Sequence, residues 1–221
     1  MKILNRDVQR SENLITMIFL TLSGGLQDTY SYLVRGEVFA NAQTGNIVLM
    51  SINFFKGEYV NVIKYLLPVL TFSVGIYTAE KIQARFKHVK NLHWRQIILL
   101  VEIFLLFLVA YIPKNHNNIA NMLISFSCAL QVLSFRKIEG FPFASTMCIG
   151  NIRNCCSALS IYFGNKSKAA RRKAKFYFTI IFTFALGAGI GELLVNMFDI
   201  KLILLSCLLL FVSFVLMIKE K

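Results

Sequence analysis

Residues 23–47 read SGGLQDTYSYLVRGEVFANAQTGNI, and residues 127–152 read SCALQVLSFRKIEGFPFASTMCIGNI. A shift of 104 positions lays Ser23, Leu26, Gln27, Gly36, Phe39 and Ala40 on Ser127, Leu130, Gln131, Gly140, Phe143 and Ala144. One inserted residue later, Gly45-Asn46-Ile47 falls on Gly150-Asn151-Ile152. Matches that include Gln, Gly and Asn do not arise from a shared apolar bias. Further on, Phe72, Gly75, Ala79 and Glu80 stand opposite Phe184, Gly187, Gly191 and Glu192. Self-similarity at a nearly fixed offset marks a duplicated unit. The chain therefore reads as one domain, 1–221, made of internal repeats 12–112 and 117–218.

The composition around this repeat gives the class. Of 221 residues 56% are apolar and 16% charged, and the mean hydropathy is +0.60. A soluble domain carries about 25% charged residues. The apolar residues fall in eight runs: Leu14–Leu33, Val38–Phe55, Val62–Ala79, Ile97–Ile112, Ile119–Phe135, Phe141–Phe163, Phe176–Phe198 and Leu202–Ile218. Runs of this length match a hydrocarbon core of about 30 Å at 1.5 Å per helical residue. An all-α integral membrane protein is expected. The first run continues past Gly24-Gly25 without a small-residue cleavage site, so it reads as a retained span rather than a signal peptide.

The net charge of +13 does not point to nucleic acid, because the basic residues sit between apolar runs, at Lys2–Arg10, Lys81–Arg95 and Lys166–Lys175. That is the distribution of cytoplasmic loops. Three crossings separate each of these regions from the next if every run spans, and the three cannot then share one side. The conflict disappears if the second and sixth runs, which are the most polar, dip in and return. Irregular backbone at membrane depth is tolerated where protein or a water-filled cavity lines it. The expected architecture is six transmembrane helices plus two re-entrant or broken segments, arranged as inverted repeats with both termini cytoplasmic. The alternative is eight full spans as parallel repeats, with one basic loop on the outer face. The expected location is the cytoplasmic membrane.

Polar groups inside the apolar runs are the candidate functional residues, since a charge at mid-depth costs at least ~2.5–3.5 kcal/mol. Gln27 and Asp28 lie in the first run, Thr44, Gly45 and Asn46 in the second, and Gln131 in the fifth. Gly150, Asn151, Arg153 and Asn154 lie in the sixth. Glycine permits a broken helix and close backbone approach, and a half-helix starting after Gly45 or Gly150 would present free N–H groups. Two such breaks are expected to converge on the repeat axis, with Asn46 and Asn151 meeting there and Asp28 and Arg153 facing one polar cavity. Glu102 reads either as functional or as snorkelling toward Trp94 and Arg95. Glu80 reads as interfacial beside Lys81. Gly187-x-x-x-Gly191 and Gly75-x-x-x-Ala79 read as packing seams. The five cysteines form no C-x-x-C pair and the three histidines fall in loops, so neither set has metal-ligand spacing. No catalytic residue, metal or cofactor is expected.

The spaced pattern Gly25-Leu26-Gln27-Asp28, Gly36-Glu37-Val38-Phe39 and Thr44-Gly45-Asn46 resembles the signature of the YoaK-like family of small bacterial multi-span membrane proteins. The resemblance covers nearly the whole chain. It implies an inner-membrane, multi-span helical fold and supplies no substrate or mechanism. The second half departs from the pattern, with Ile149 before Gly150 and Val132 after Gln131.

Three functions compete. A small-solute transporter or channel is expected first, with its polar site at the interface of the repeats. A non-transporting scaffold or assembly factor comes second. A membrane enzyme comes last, for want of an intramembrane histidine, an H-E-x-x-H or a G-x-S-x-G motif. The partners expected are the lipid bilayer and an unidentified small solute, with no nucleic acid, and a homo-oligomer stays open.

Overall fold

The computed structural model describes residues 13–86 and 93–218. The basic residues Lys2, Arg6 and Arg10, and Lys87, His88 and Lys90 of the loop, lie outside the described residues. Eight helices follow in order: α1 Leu14–Val34, α2 Gln43–Phe55, α3 Tyr59–Phe86, α4 Trp94–Val109, α5 Asn117–Ser134, α6 Cys148–Asn165, α7 Lys168–Phe198 and α8 Ile203–Ile218. The described strands are a two-residue pair, β1 Lys137–Ile138 and β2 Phe141–Pro142, joined antiparallel. By length and composition alone, Tyr59–Phe86 and the stretch Lys168–Ile218 are apolar enough to cross a membrane. Large apolar side chains on the outside fit that setting: Phe55, Val60, Ile149 and Leu193 are all more than three-quarters exposed.

Local chemistry sets the helix ends. Asn13 starts α1 by accepting from the Ile15 N–H, at 3.1 Å, and His93 closes a capping box with Gln96 at the start of α4. Gly36 ends α1 with φ +85, followed by Glu37 at φ +60. Glu37 N–H returns to Tyr32 O at 2.8 Å, the tie of a left-handed helix stop. Glu139 and Gly140, at φ +49 and +81, make the hairpin turn beyond α5. α3 and α7 overrun the expected apolar runs, so Lys81–Phe86 and Lys168–Lys175 are helical turns rather than loop. Long basic side chains are good helix formers and can carry their charge back to water from a buried stem.

The helix ends gather in two groups. Around Arg35 lie the ends of α1, α4 and α7 and the starts of α3 and α5. Arg35 donates to Val109 O and Ile112 O at 2.8 and 2.9 Å and to Asn117 Oδ1 at 3.2 Å. Tyr30 OH donates to Ile200 O at 3.1 Å, and the Lys64 side chain borders Gly36. Around Arg136 lie the ends of α3 and α5 and the starts of α4 and α7. Arg136 pairs with Glu80 at 2.6 Å, Arg172 with Glu139 at 2.8 Å, and Arg95 Nε donates to Ser134 O. Glu80 thus has Arg136, not Lys81, as its ionic partner.

The core joins α1 to α7 and α8, α5 to α3 and α4, and α4 to α8, while α2 lies on α3 and α6 on α7. Two crossings are close because glycine sits in them. A Cβ at Gly25 would run into Phe184 O of α7, and one at Gly187 into Leu22 O of α1. A Cβ at Gly75 of α3 would lie 2.7 Å from Ala129 Cβ of α5. These are the seams read from the small-x-x-x-small spacing.

The two polar runs are not continuous helices. Residues 35–42 are non-helical, and α2 begins only at Gln43. In the second half the hairpin and residues 143–147 precede α6. A continuous apolar run conceals this, because extended backbone buried against protein has the same composition as a buried helix.

Candidate functional site where the two broken segments meet

The chain after α1 turns at Gly36 and runs back along it. Ala40 N–H donates to Ser31 Oγ at 3.2 Å, Asn41 N–H to Asp28 Oδ1 at 3.3 Å, and Asn41 Nδ2 to Gly24 O at 3.4 Å. Gly24 is the midpoint of the 21-residue α1. α2 then starts, with Gln43 Nε2 on Ser125 Oγ at 2.7 Å, and leads through a short turn to Tyr59 of α3. Because Lys64 borders Gly36, the segment 36–55 enters and leaves on the Arg35 side.

The second segment does the same from the Arg136 side. Gln131 Nε2 donates to Ser145 Oγ at 2.7 Å and to Leu20 O at 3.3 Å. Thr146 Oγ1 and Cys128 Sγ are 3.4 Å apart. α6 then returns beside α7, with Cys155 Sγ on Ala174 O. The two tips meet at Gly24, where a Cβ would lie 3.0 Å from Ser145 O and 2.9 Å from Thr146 Cγ2. A side chain at this position would crowd that backbone.

The expected site residues divide on this frame. Gln27, Asp28, Asn46, Gln131 and Asn151 are buried. Asn46 and Asn151 do not meet. Asn46 Nδ2 donates to Phe39 O at 2.8 Å and Gln43 Oε1 at 3.1 Å, while Asn151 Nδ2 donates to Ala144 O at 2.8 Å and Met147 O at 3.1 Å. Each pins its own helix start to the extended chain before it, seven residues back in both halves. The helices also start before Gly45 and Gly150, not after them, and neither glycine makes a close approach: a Cβ at Gly45 would meet Phe39 at 3.7 Å, and one at Gly150 meets nothing within 4 Å. Thr44 is exposed, and Asn154, half-buried, lies against the Tyr177 hydroxyl.

Asp28 and Arg153 do not share a cavity. Asp28 is 9% exposed and accepts the Asn41 backbone N–H, whereas Arg153 lies on the exposed face of α6. Position along the chain does not fix which way a helical side chain turns. Neither Asp28 nor Glu102 enters an ion pair among the described residues. Glu102 does not snorkel. It is fully buried midway along α4 and faces Ser127 of α5.

Several members were not among the expected site residues. Asn41 and Ser145 occupy equivalent positions under the 104-residue shift but differ in identity, so the repeat did not flag them. Gly24 has no counterpart glycine in the second half. Arg35, fully buried with Nε on Tyr30 OH at 2.8 Å, lies just outside an apolar run. Its signal in the sequence was a lone arginine immediately before a helix-stopping glycine.

A family model described as a protein of unknown function, DUF1275, matches residues 16–216. The transmembrane protein YoaK (UPF0700) of Bacillus subtilis strain 168 is 26% identical over 186 residues, covering 79% of this chain and 80% of that one. No solved structure matches. With its apolar exterior and its transmembrane relative, the chain is a membrane protein, and it belongs to the DUF1275 family.

Proposed function

We propose that the protein is a non-catalytic transporter or channel for a small polar solute in the cytoplasmic membrane. The observation that carries this is the meeting of two broken segments, entering from opposite ends, at the midpoint of α1. Solute sites of many transporters lie where discontinuous helices of two repeats meet near mid-membrane. The residues assigned to the site are Gln27, Asp28, Asn46, Gln131 and Asn151 at its centre. Thr44, Gly45, Gly150, Arg153 and Asn154 lie on the two short helices beside it. α2 and α6 both begin there without a side-chain cap, so their first N–H groups and positive dipole ends are available to a solute.

The inverted-repeat reading, 12–112 against 117–218, draws on the packing. Exchanging α1–α4 for α5–α8 carries the pair α1/α7 onto α5/α3, α2/α3 onto α6/α7 and α1/α8 onto α5/α4, and leaves α4/α8 in place. It also carries Gly25–Gly187 onto Ala129–Gly75, and Asn46 onto Asn151, each of which donates to the carbonyl seven residues before it. α1 runs toward Arg35 and α5 runs away from it, as repeats related by an axis in the membrane plane require. Six helices then cross, and segments 38–55 and 141–163 re-enter. The Arg136 side holds Lys81, Arg85, Arg95, Lys137, Lys168, Arg171, Arg172, Lys173 and Lys175, so positive charge makes it cytoplasmic, with both termini on that side.

The test is solute-dependent stabilisation of the purified protein in nanodiscs, since a ligand bound to the folded state raises the melting temperature. A panel of amino acids, sugars, polyols and carboxylates should yield a stabilising class, and Asn41→Ala and Gln131→Ala should remove its effect. Stabilisation unchanged in both variants would mean binding elsewhere. A panel with no stabilising member, together with no solute flux in proteoliposomes, would favour a scaffold.

A further inference from the structure

The polar core has an imbalance that the proposed solute does not explain. Its unpartnered buried atoms among the described residues are all oxygens: both carboxylate oxygens of Glu102, Ser127 Oγ, Gln131 Oε1 and Gln27 Oε1 are among them. The Gln131 amide has one orientation, because its Nε2 donates to Leu20 O, which can only accept. Its carbonyl oxygen is therefore the atom left over. Ser127 and Gln131 stand one helical turn apart on the same face of α5. Glu102 faces Ser127 from α4, and Leu20 brings α1 against Gln131. A fully buried carboxylate that faces a single hydroxyl and has no cationic partner among the described residues is expensive for a protein to hold.

We propose that Glu102, Ser127 and Gln131 form a binding site for a small monovalent metal cation of the sodium type where α4 meets α5 beside α1. The ligand class follows from the donors: carboxylate, hydroxyl and amide oxygens suit hard cations. The charge follows from the count of carboxylates. Glu102 is the one acid in the set, and the Asp28 carboxylate accepts the Asn41 N–H, so one positive charge balances the site. The site shares Gln131 with the proposed solute site, but its test turns on Glu102 and Ser127, which that reading does not use, so cation binding and solute binding can each fail alone.

The experiment is thermal melting of the purified full chain in nanodiscs, in NaCl, LiCl, KCl and choline chloride at equal ionic strength and mildly alkaline pH. Sodium or lithium should raise the melting temperature saturably over choline. Glu102→Gln should abolish the difference, and Ser127→Ala should weaken the apparent sodium affinity several-fold. If Glu102→Gln does not fold, the Ser127→Ala titration with radioactive sodium decides, and an unchanged midpoint overturns the site. Equal melting in all four salts overturns it, as does a sodium effect that survives Glu102→Gln. Stability that depends on pH through Glu102 but not on the alkali cation would make Glu102 a proton site and overturn the metal assignment.

Discussion

At the scale of single residues, a glycine matters here by what stands opposite it, not by where it falls in a motif. Gly25 and Gly187 have carbonyl oxygens of the partner helix where a Cβ would be, and backbone cannot step aside as a flexible side chain can. Gly25→Ala should therefore spread α1 from α7 and cost at least the ~1–3 kcal/mol typical of overpacking. Gly150→Ala, in open space within α6, should be neutral or gain up to about 1 kcal/mol from helix propensity. Thermal melting of the two variants side by side checks both signs, and equal losses would contradict the packing. Arg35 gives a second contrast. Its guanidinium serves four acceptors on three parts of the chain: Tyr30 OH, the carbonyls of Val109 and Ile112 at the end of α4, and Asn117 Oδ1. A lysine keeps the charge but has no planar fork to span those positions. Arg35→Lys should still lose at least ~1.5 kcal/mol, the low end for a hydrogen bond to a charged group.

At the scale of elements, Asn46 and Asn151 act as pins that turn an extended chain into a helix at depth. Removing either takes that donor from a part-buried carbonyl, Phe39 O or Ala144 O, at a cost of about 0.5–1.5 kcal/mol. The pins share no hydrogen-bond partner, so Asn46→Ala and Asn151→Ala should add to within about 0.5 kcal/mol in the double variant. A larger coupling in a melting-temperature cycle would show that the two tips move as one unit through Gly24. Much of this was legible in the sequence. The repeat singled out Gln27, Gln131, Asn46 and Asn151 because polar identities survived in both copies. The polarity of residues 41–46 and 145–154 marked those runs as irregular. The break itself was misplaced by several residues, because the visible signal was Gly45 whereas the backbone needs its freedom at Gly36 and Gly140. The sequence was silent on Asn41 opposite Ser145, where the copies diverge. It was equally silent on the direction of Arg153, since a single charged residue on a helix carries no phase.

At the scale of the whole molecule, two architectures make opposite statements about one short turn. In the inverted arrangement the Lys56–Glu58 turn between α2 and α3 lies on the Arg35 side, outside the cell, because segment 36–55 returns to the side it entered. With eight full spans and a cytoplasmic N-terminus, the same turn follows a second crossing and lies inside. The α6–α7 connection at Lys168 is cytoplasmic in both arrangements and serves as the control. Packing favours the first, since Lys64, only a turn and a half into α3, borders Gly36 at the end of α1. Thirteen residues of α2 also cover only about 20 Å at 1.5 Å per residue, short of the hydrocarbon thickness. The measurement replaces Cys128, Cys148, Cys155, Cys156 and Cys207 with serine or alanine and adds one cysteine at Glu58 or at Lys168. A membrane-impermeant maleimide applied to intact cells should label the Glu58 position at once and the Lys168 position only after permeabilisation. Protection of the Glu58 position in intact cells, with labelling after permeabilisation, would put the turn inside. The two broken segments would then be complete crossings, and their tips could not form a site reached from both faces of the membrane.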